Sequence, residues 1–170
     1  QDSAGTTPVT AVEQVVGLML DKSKGLVLGS ELVTNGTFSS GTTTGWTQDA
    51  NALLSVVGGS LRIENGSALN SSAYQSFTTV SNVWYRTTIQ NTGATNLQVR
   101  IGTSAVGSQN YVATVSAGTT STFYFTATAT TTFVTFRVLT ATLGDVILVD
   151  NITVKELPGN HAYQSTSASR

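Results

Sequence analysis

The chain has 170 residues, of which 39% are hydrophobic, enough for one domain with a genuine core and too few for two ordinary ones. Charged residues make up only 10% and the net charge is −1, with no Lys/Arg cluster of the kind that releases counterions from phosphate, so the composition argues against a nucleic-acid partner. There is no cysteine, which removes disulfides, thiolate chemistry and Cys-ligated zinc, and leaves stability to sheet packing or to a partner chain.

Residues 1–24 combine a polar opening, QDSAGTTPVTA, with the run VEQVVGLMLDKS. The apolar stretch Val12–Leu20 is broken by Glu13, Gln14 and Gly17; it is too short to span a membrane and lacks the flanks of a signal peptide. Its Val15, Val16, Leu18 and Leu20 favour an extended arm. Starting at Gln1 and stopping abruptly at Arg170, the chain reads as a piece of a longer polypeptide.

From Gly25 onward the pattern is β throughout. Strands are predicted at 26–28, 31–38, 52–57, 60–64, 72–80, 83–91, 95–102, 110–116, 121–129, 132–140 and 146–157, at the spacing of a sandwich or barrel. Gly58-Gly59 marks a two-residue hairpin turn, and Asn91-Thr-Gly93 and Ala117-Gly118 mark two more. Alternation puts Val83, Tyr85, Thr87 and Ile89 on one face of their strand, Leu97, Val99 and Ile101 on one face of the next, and Val134, Phe136 and Val138 on one face of a third. One face dry and one wet is the antiparallel sandwich pattern. Both prolines, Pro8 and Pro158, lie outside the β region. The expected fold is all-β: an antiparallel jelly-roll β-sandwich over 25–157, with an extended N-terminal arm over 1–24 and a polar C-terminal linker over 158–170.

Two stretches bracket the β region. The first holds Leu32, Val33, Asn35, Gly36 and Phe38, followed by Gly45-Trp46; the second holds Asp150, Asn151, Ile152 and Val154. Together they resemble the carbohydrate-binding-module jelly rolls of the galactose-binding-like type, which open on L-V-x-N-G-x-F and G-W and close on D-N-[IV]-x-V. The flanks resemble something else. GLMLDKS and GNHAYQSTSASR look like two halves of D-K-S-G-x-G-N-H-A-x-Q, a motif of laminin-G/concanavalin-like segments in bacteriophage and prophage tail proteins. The opening DSAGTTPVTA is also similar to phage virion proteins. The two resemblances together imply a jelly roll inserted into a virion protein, which requires a guest domain whose ends lie side by side.

No catalytic constellation is legible, so the chain is not expected to be an enzyme. His161, the only histidine, lies in the tail, and the carboxylates Glu13, Asp21, Glu31, Asp49, Glu64, Asp145, Asp150 and Glu156 are scattered over loops and strand ends. No cofactor is required. The resemblance implies one place for a structural Ca²⁺, where the first and last strands meet, with Asn35, Ser39 and Asp150 as the oxygen donors; many relatives have Glu where this chain has Ser39. Opposite the predicted core positions stand Trp84, Arg86, Gln98, Arg100, Tyr124 and Arg137, expected on adjacent strands. Aromatic rings beside planar polar groups suit a glycan, and Trp, Tyr and Arg equally suit a subunit interface; the interface is weighed slightly ahead. Trp46, Tyr74, Phe77, Phe123 and Phe125 read as core.

The expected role is structural and adhesive: a tail-fibre, capsid-fibre or decoration module of a phage virion, binding other virion subunits as a homo-oligomer (a trimer ahead of other states), with a host-surface glycan as a further partner and no membrane or nucleic acid. The alternative is the carbohydrate-binding module of a secreted bacterial glycosidase.

Overall fold

Period-two alternation dominates the architecture. The computed structural model describes residues 28–158, together with the short pairs Leu18–Met19 and Ala162–Tyr163. In chain order the strands are β1 (Leu18–Met19), β2 (Thr47–Gln48), β3 (Ala52–Val57), β4 (Ser60–Asn65), β5 (Ser72–Thr78), β6 (Trp84–Asn91), β7 (Leu97–Gly102), β8 (Tyr111–Val115), β9 (Thr120–Thr126), β10 (Thr131–Val138), β11 (Val146–Glu156) and β12 (Ala162–Tyr163). Two five-stranded antiparallel sheets, β2-β5-β10-β7-β8 and β3-β4-β11-β6-β9, form the jelly-roll sandwich expected from the sequence. β1 and β12 pair antiparallel as a separate two-stranded sheet, Leu18 opposite Tyr163. The rest of the arm and of the tail, His161 included, lies outside the described residues.

The inner faces interdigitate as alternation requires. The first sheet contributes Ala73, Phe77, Leu97, Val99, Ile101, Val115, Val134, Phe136 and Val138; the second contributes Leu61, Ile63, Tyr85, Ile89, Phe123, Phe125, Ile147, Val149, Ile152 and Val154, all buried. The β3–β4 hairpin turns at Gly58-Gly59, both with positive φ (59° and 82°), which is the geometry a type I′ turn demands and a side chain resists.

The largest departure from the sequence expectation lies at 31–38. This segment is not a strand. It touches the sheet at one bridge, Glu31 opposite Lys155, with Gly29 N–H on Glu156 O and Leu32 N–H on Val154 O, and then leaves it. Asn35 (φ 54°) and Phe38 (φ 48°) sit in the left-handed region, which ends any extended run. A left-handed Phe costs about 1–3 kcal/mol. Full burial of its ring returns about 1.5–3 kcal/mol, and the ring packs 5.9 Å from Trp46, which in turn packs 5.5 Å from Phe136. The apolar spacing of Leu32, Val33 and Phe38 therefore records a folded-back plug, not a strand, and Trp46 is core as expected. At the far end, β11 carries a bulge between Asp150 and Thr153 with Asn151 left-handed (φ 50°). The bulge turns Ile152 N–H onto Gly36 O, and Gly36 approaches Ile152 so closely that a Cβ there would collide with its carbonyl. The two bracketing motifs thus meet in space.

Asparagine amides staple the loops. Asn35 donates to the carbonyls of Thr42 and Thr44, Asn65 to Thr140 and Thr142, Asn70 to Val138 and Thr140, and Asn91 to Thr95 and Val115. Each bonds two backbone carbonyls, and Thr140 O accepts from both Asn65 and Asn70.

Candidate functional site

The six residues expected on one face are divided between two. Trp84, Arg86 and Tyr124 belong to β6 and β9, and point outward from the second sheet, with Arg86 directly opposite Tyr124. Gln98, Arg100 and Arg137 belong to β7 and β10, and point outward from the first sheet, with Arg137 directly opposite Gln98. Consecutive strands β6 and β7 lie in different sheets, which their sequence patterns do not reveal.

The outer face of the first sheet is the more unusual. Across β5, β10, β7 and β8 one register row runs Tyr74, Thr135, Arg100, Val112, and the next runs Ser72, Arg137, Gln98, Thr114. Tyr74 packs against Phe133 with ring centroids 6.2 Å apart and planes tilted by 56°, and both rings are only partly covered. Tyr74 is therefore a surface ring, not the core residue expected. The inward positions of β5 are Ala73, Gln75 and Phe77, and the one that disguises the phase is Gln75. This buried amide accepts from Thr34 N–H and donates to the carbonyls of Thr34 and Gly45, so a polar side chain occupies a core position and cross-links the 34–45 loop.

The segment between β7 and β8, residues 103–110, folds back over this same face. Thr135 Oγ1 donates to the Ala105 carbonyl, and Arg100 Nη1 donates to Val106 O at 3.2 Å. Gly102 lies beneath it, where a Cβ would strike Gln109 and the Gly107 backbone. Gln109 Oε1 in turn accepts from Thr103 N–H. Arg100 Nε donates to Gln98 Oε1 at 2.7 Å, so its guanidinium is held from two sides. Burial first, and then the neighbouring Arg137 charge, push the Arg100 guanidinium below its ordinary value. The result is a ring pair, an amide and two guanidiniums bordered by a loop wall.

The second sheet's outer face is quieter. Arg62 and Glu64 form an ion pair on β4, Thr88 and Thr122 share a hydrogen bond across β6 and β9, and Asn151 Nδ2 donates to Gln90 Oε1. Arg86 stands between Lys155 and Tyr124, and its Nε is a buried donor without a protein acceptor.

The donors proposed for calcium are engaged with the protein. Asn35 turns its NH₂ toward Thr42 O (2.8 Å) and Thr44 O (3.1 Å), so a donor occupies the place where a cation would collect carbonyls, and its Oδ1 accepts from Ser40. Ser39 accepts from Thr37, and Asp150 Oδ1 accepts the Asn151 N–H at 2.7 Å within the bulge. Among the described residues no group of three or more His, Cys, Asp or Glu comes together. This set does not fit Ca²⁺, which needs six to eight oxygens. Of the described carboxylates, Glu31 accepts three backbone N–H groups (Leu32, Val33 and Val154), Asp49 accepts from Asn51, and Glu64 pairs with Arg62. A cleft of about 400 Å³ opens at one end of the sandwich, lined by the 94–96 turn and the ends of β10 and β11. No helix among the described residues is long and apolar enough to cross a membrane.

No protein-family model and no curated protein matches the sequence. Solved structures do share the architecture. A CBM4 structure is 18% identical with a TM-score of 0.55, aligned over 73% of this chain and 99% of its own. The arabinose-bound α-L-arabinofuranosidase MgGH51 is 18% identical with a TM-score of 0.58, over 82% of this chain and 29% of its own. The enzymatically active domain of tailspike protein 4 from bacteriophage CBA120 is 11% identical with a TM-score of 0.55, over 74% and 21%. The chain thus spans nearly the whole CBM4 structure and less than a third of the other two. At these identities the likeness is one of fold: this is a carbohydrate-binding-module-like β-sandwich, as the two bracketing motifs implied.

Proposed function

We propose that the protein is a glycan-binding module whose site is the outer face of β5, β10 and β7. The observation that carries this is the Tyr74–Phe133 ring pair standing beside Gln98, Arg100 and Arg137 under the 103–110 wall. Sugar rings present C–H faces that stack on aromatic side chains and hydroxyls that pair with amides and guanidiniums, and both are supplied here on rigid strands. The CBM4 likeness supports the same reading. A glycan-array screen of the protein beside Tyr74→Ala and Trp84→Ala is the test. Binding lost in Tyr74→Ala and kept in Trp84→Ala is the expected outcome; the reverse pattern, or no binding, would overturn it.

The finer role is adhesion within a bacteriophage particle, with the sandwich as a module of a fibre or decoration protein that assembles as a trimer with itself and with other virion subunits. The resemblance of the flanks to phage tail segments motivates it, and the tailspike likeness is compatible with it. The adjacency of Gly29–Leu32 to Val154–Glu156, and the separate pairing of β1 with β12, fit the geometry an inserted module requires. The second reading, a module of a secreted glycosidase, draws on the arabinofuranosidase likeness. Light scattering on the full chain separates them: a trimer supports the particle role, a monomer the glycosidase module.

A further inference from the structure

The first sheet has an uneven charge. Its five strands and the 103–110 segment contain Arg100 and Arg137 and not one Asp or Glu. The strands of the second sheet contain Arg62, Arg86 and Lys155 against Glu64, Asp150 and Glu156. In a chain of net charge −1, one face is therefore purely cationic. The two guanidiniums are close: Arg137 lies opposite Gln98, and Arg100 stands two residues further along the same strand face, a diagonal of roughly 7–8 Å between backbone positions. The acid nearest in register is Asp49, whose N–H bonds Ser72 O, two strands away from Arg137; its carboxylate accepts from Asn51.

We propose that this pair makes the face a receptor for acidic glycans, chains whose sugars carry a carboxylate or a sulfate, an inference that rests on the glycan reading above. Two like charges held side by side repel each other, and an anion between them relieves that repulsion while accepting hydrogen bonds from both. Arg100 is prepared for this. Of the five N–H donors of a guanidinium, its Nε is fixed on Gln98 and one Nη1 donor on Val106, which orients the fork and leaves the others for a ligand. Among the described residues no hydrogen bond or ion pair from protein engages the Arg137 guanidinium, so its fork is open. The planar fork matches a carboxylate or sulfate two oxygens at a time, a geometry a lysine lacks. Tyr74 and Phe133, two register rows or fewer away, offer the stacking surface for the sugar that carries the acid. A neutral glycan would use the rings and leave the guanidiniums uncompensated.

The test is affinity electrophoresis of the full chain through gels containing polygalacturonate, dextran sulfate or unmodified dextran, with single-stranded oligothymidylate as a non-sugar polyanion. The variants are Arg137→Gln and, on the opposite face with the same loss of charge, Lys155→Gln. The expected result is retardation by polygalacturonate or dextran sulfate, whichever acid is preferred. Arg137→Gln should weaken it about tenfold or more, and Lys155→Gln less than twofold. Retardation should also fall as salt rises. Equal losses in the two variants, or equal retardation by oligothymidylate, would reduce the effect to unspecific attraction and overturn the inference. Binding to a neutral glycan that is lost in Tyr74→Ala yet indifferent to Arg137→Gln would overturn this inference and leave the glycan reading standing. No retardation in any gel, with no array binding, would overturn both.

Discussion

The two outer faces of this sandwich are built by the same rule and end in opposite states. Both are the wet halves of five-stranded antiparallel sheets rich in Thr and Ser. On the second sheet several polar groups answer one another, Arg62 with Glu64, Thr88 with Thr122 and Asn151 with Gln90, while Arg86 Nε stays a buried donor without a protein acceptor. On the first sheet two cations and two rings stand with no acid among them, and a loop folds over to frame them. Groups satisfied by their neighbours stabilise the fold. What sets the first sheet apart is that its cations and rings have no acid beside them, since an unpaired guanidinium donor also occurs on the second.

The strongest way to break this comparison is to exchange the rings. Tyr74→Ala or Phe133→Ala should reduce glycan affinity about tenfold or more, and Trp84→Ala or Tyr124→Ala should change it less than twofold, read by array or calorimetric titration. Equal losses on the two faces would erase the distinction. Next in size is Gly102→Ala, whose new methyl would displace the 103–110 wall from β7. A loss of about 1–3 kcal/mol in denaturant stability is expected, together with weaker glycan binding. A structural role alone would leave binding intact.

A comparable loss, about 1–3 kcal/mol, should follow Asn35→Ala, since two carbonyls of the Phe38–Trp46 plug lose their donor. Chelator should leave the thermal midpoint unchanged, because the Asn35 amide supplies the donors that close that loop; a midpoint that falls on chelation would restore the calcium expectation. The smallest effects differ in sign. Arg62→Ala should cost up to about 1 kcal/mol for a partly exposed ion pair, whereas Arg137→Gln should be neutral or slightly stabilising, as it removes a like-charge neighbour of Arg100.

Much of the fold was legible because alternation is local. The strands from Ala52 to Glu156 appear close to their expected positions, and the Gly58-Gly59 turn follows from backbone chemistry alone. What was not legible depends on long-range pairing. The separation of β6 from β7 into different sheets divided the expected face, and no residue in either strand encodes it. Tyr74 was hidden by Gln75, a buried amide whose partners, Thr34 and Gly45, lie 41 and 30 residues away. Phe133, by contrast, was readable as an outward residue, since Val134 and Phe136 fix the phase of β10. The strand expected at 31–38 failed because positive φ at Asn35 and Phe38 leaves no trace in an apolar pattern.

The measurement that tests the account most directly is a ¹H–¹⁵N chemical-shift titration of the full chain with a glycan retained in the array or gel screens, or with oligogalacturonate should none be retained. The account predicts perturbations confined to β5, β10 and β7 around Tyr74, Phe133, Gln98 and Arg137 and to the 103–110 loop. Perturbations centred on Trp84, Arg86 and Tyr124, or none at saturating ligand, would contradict it.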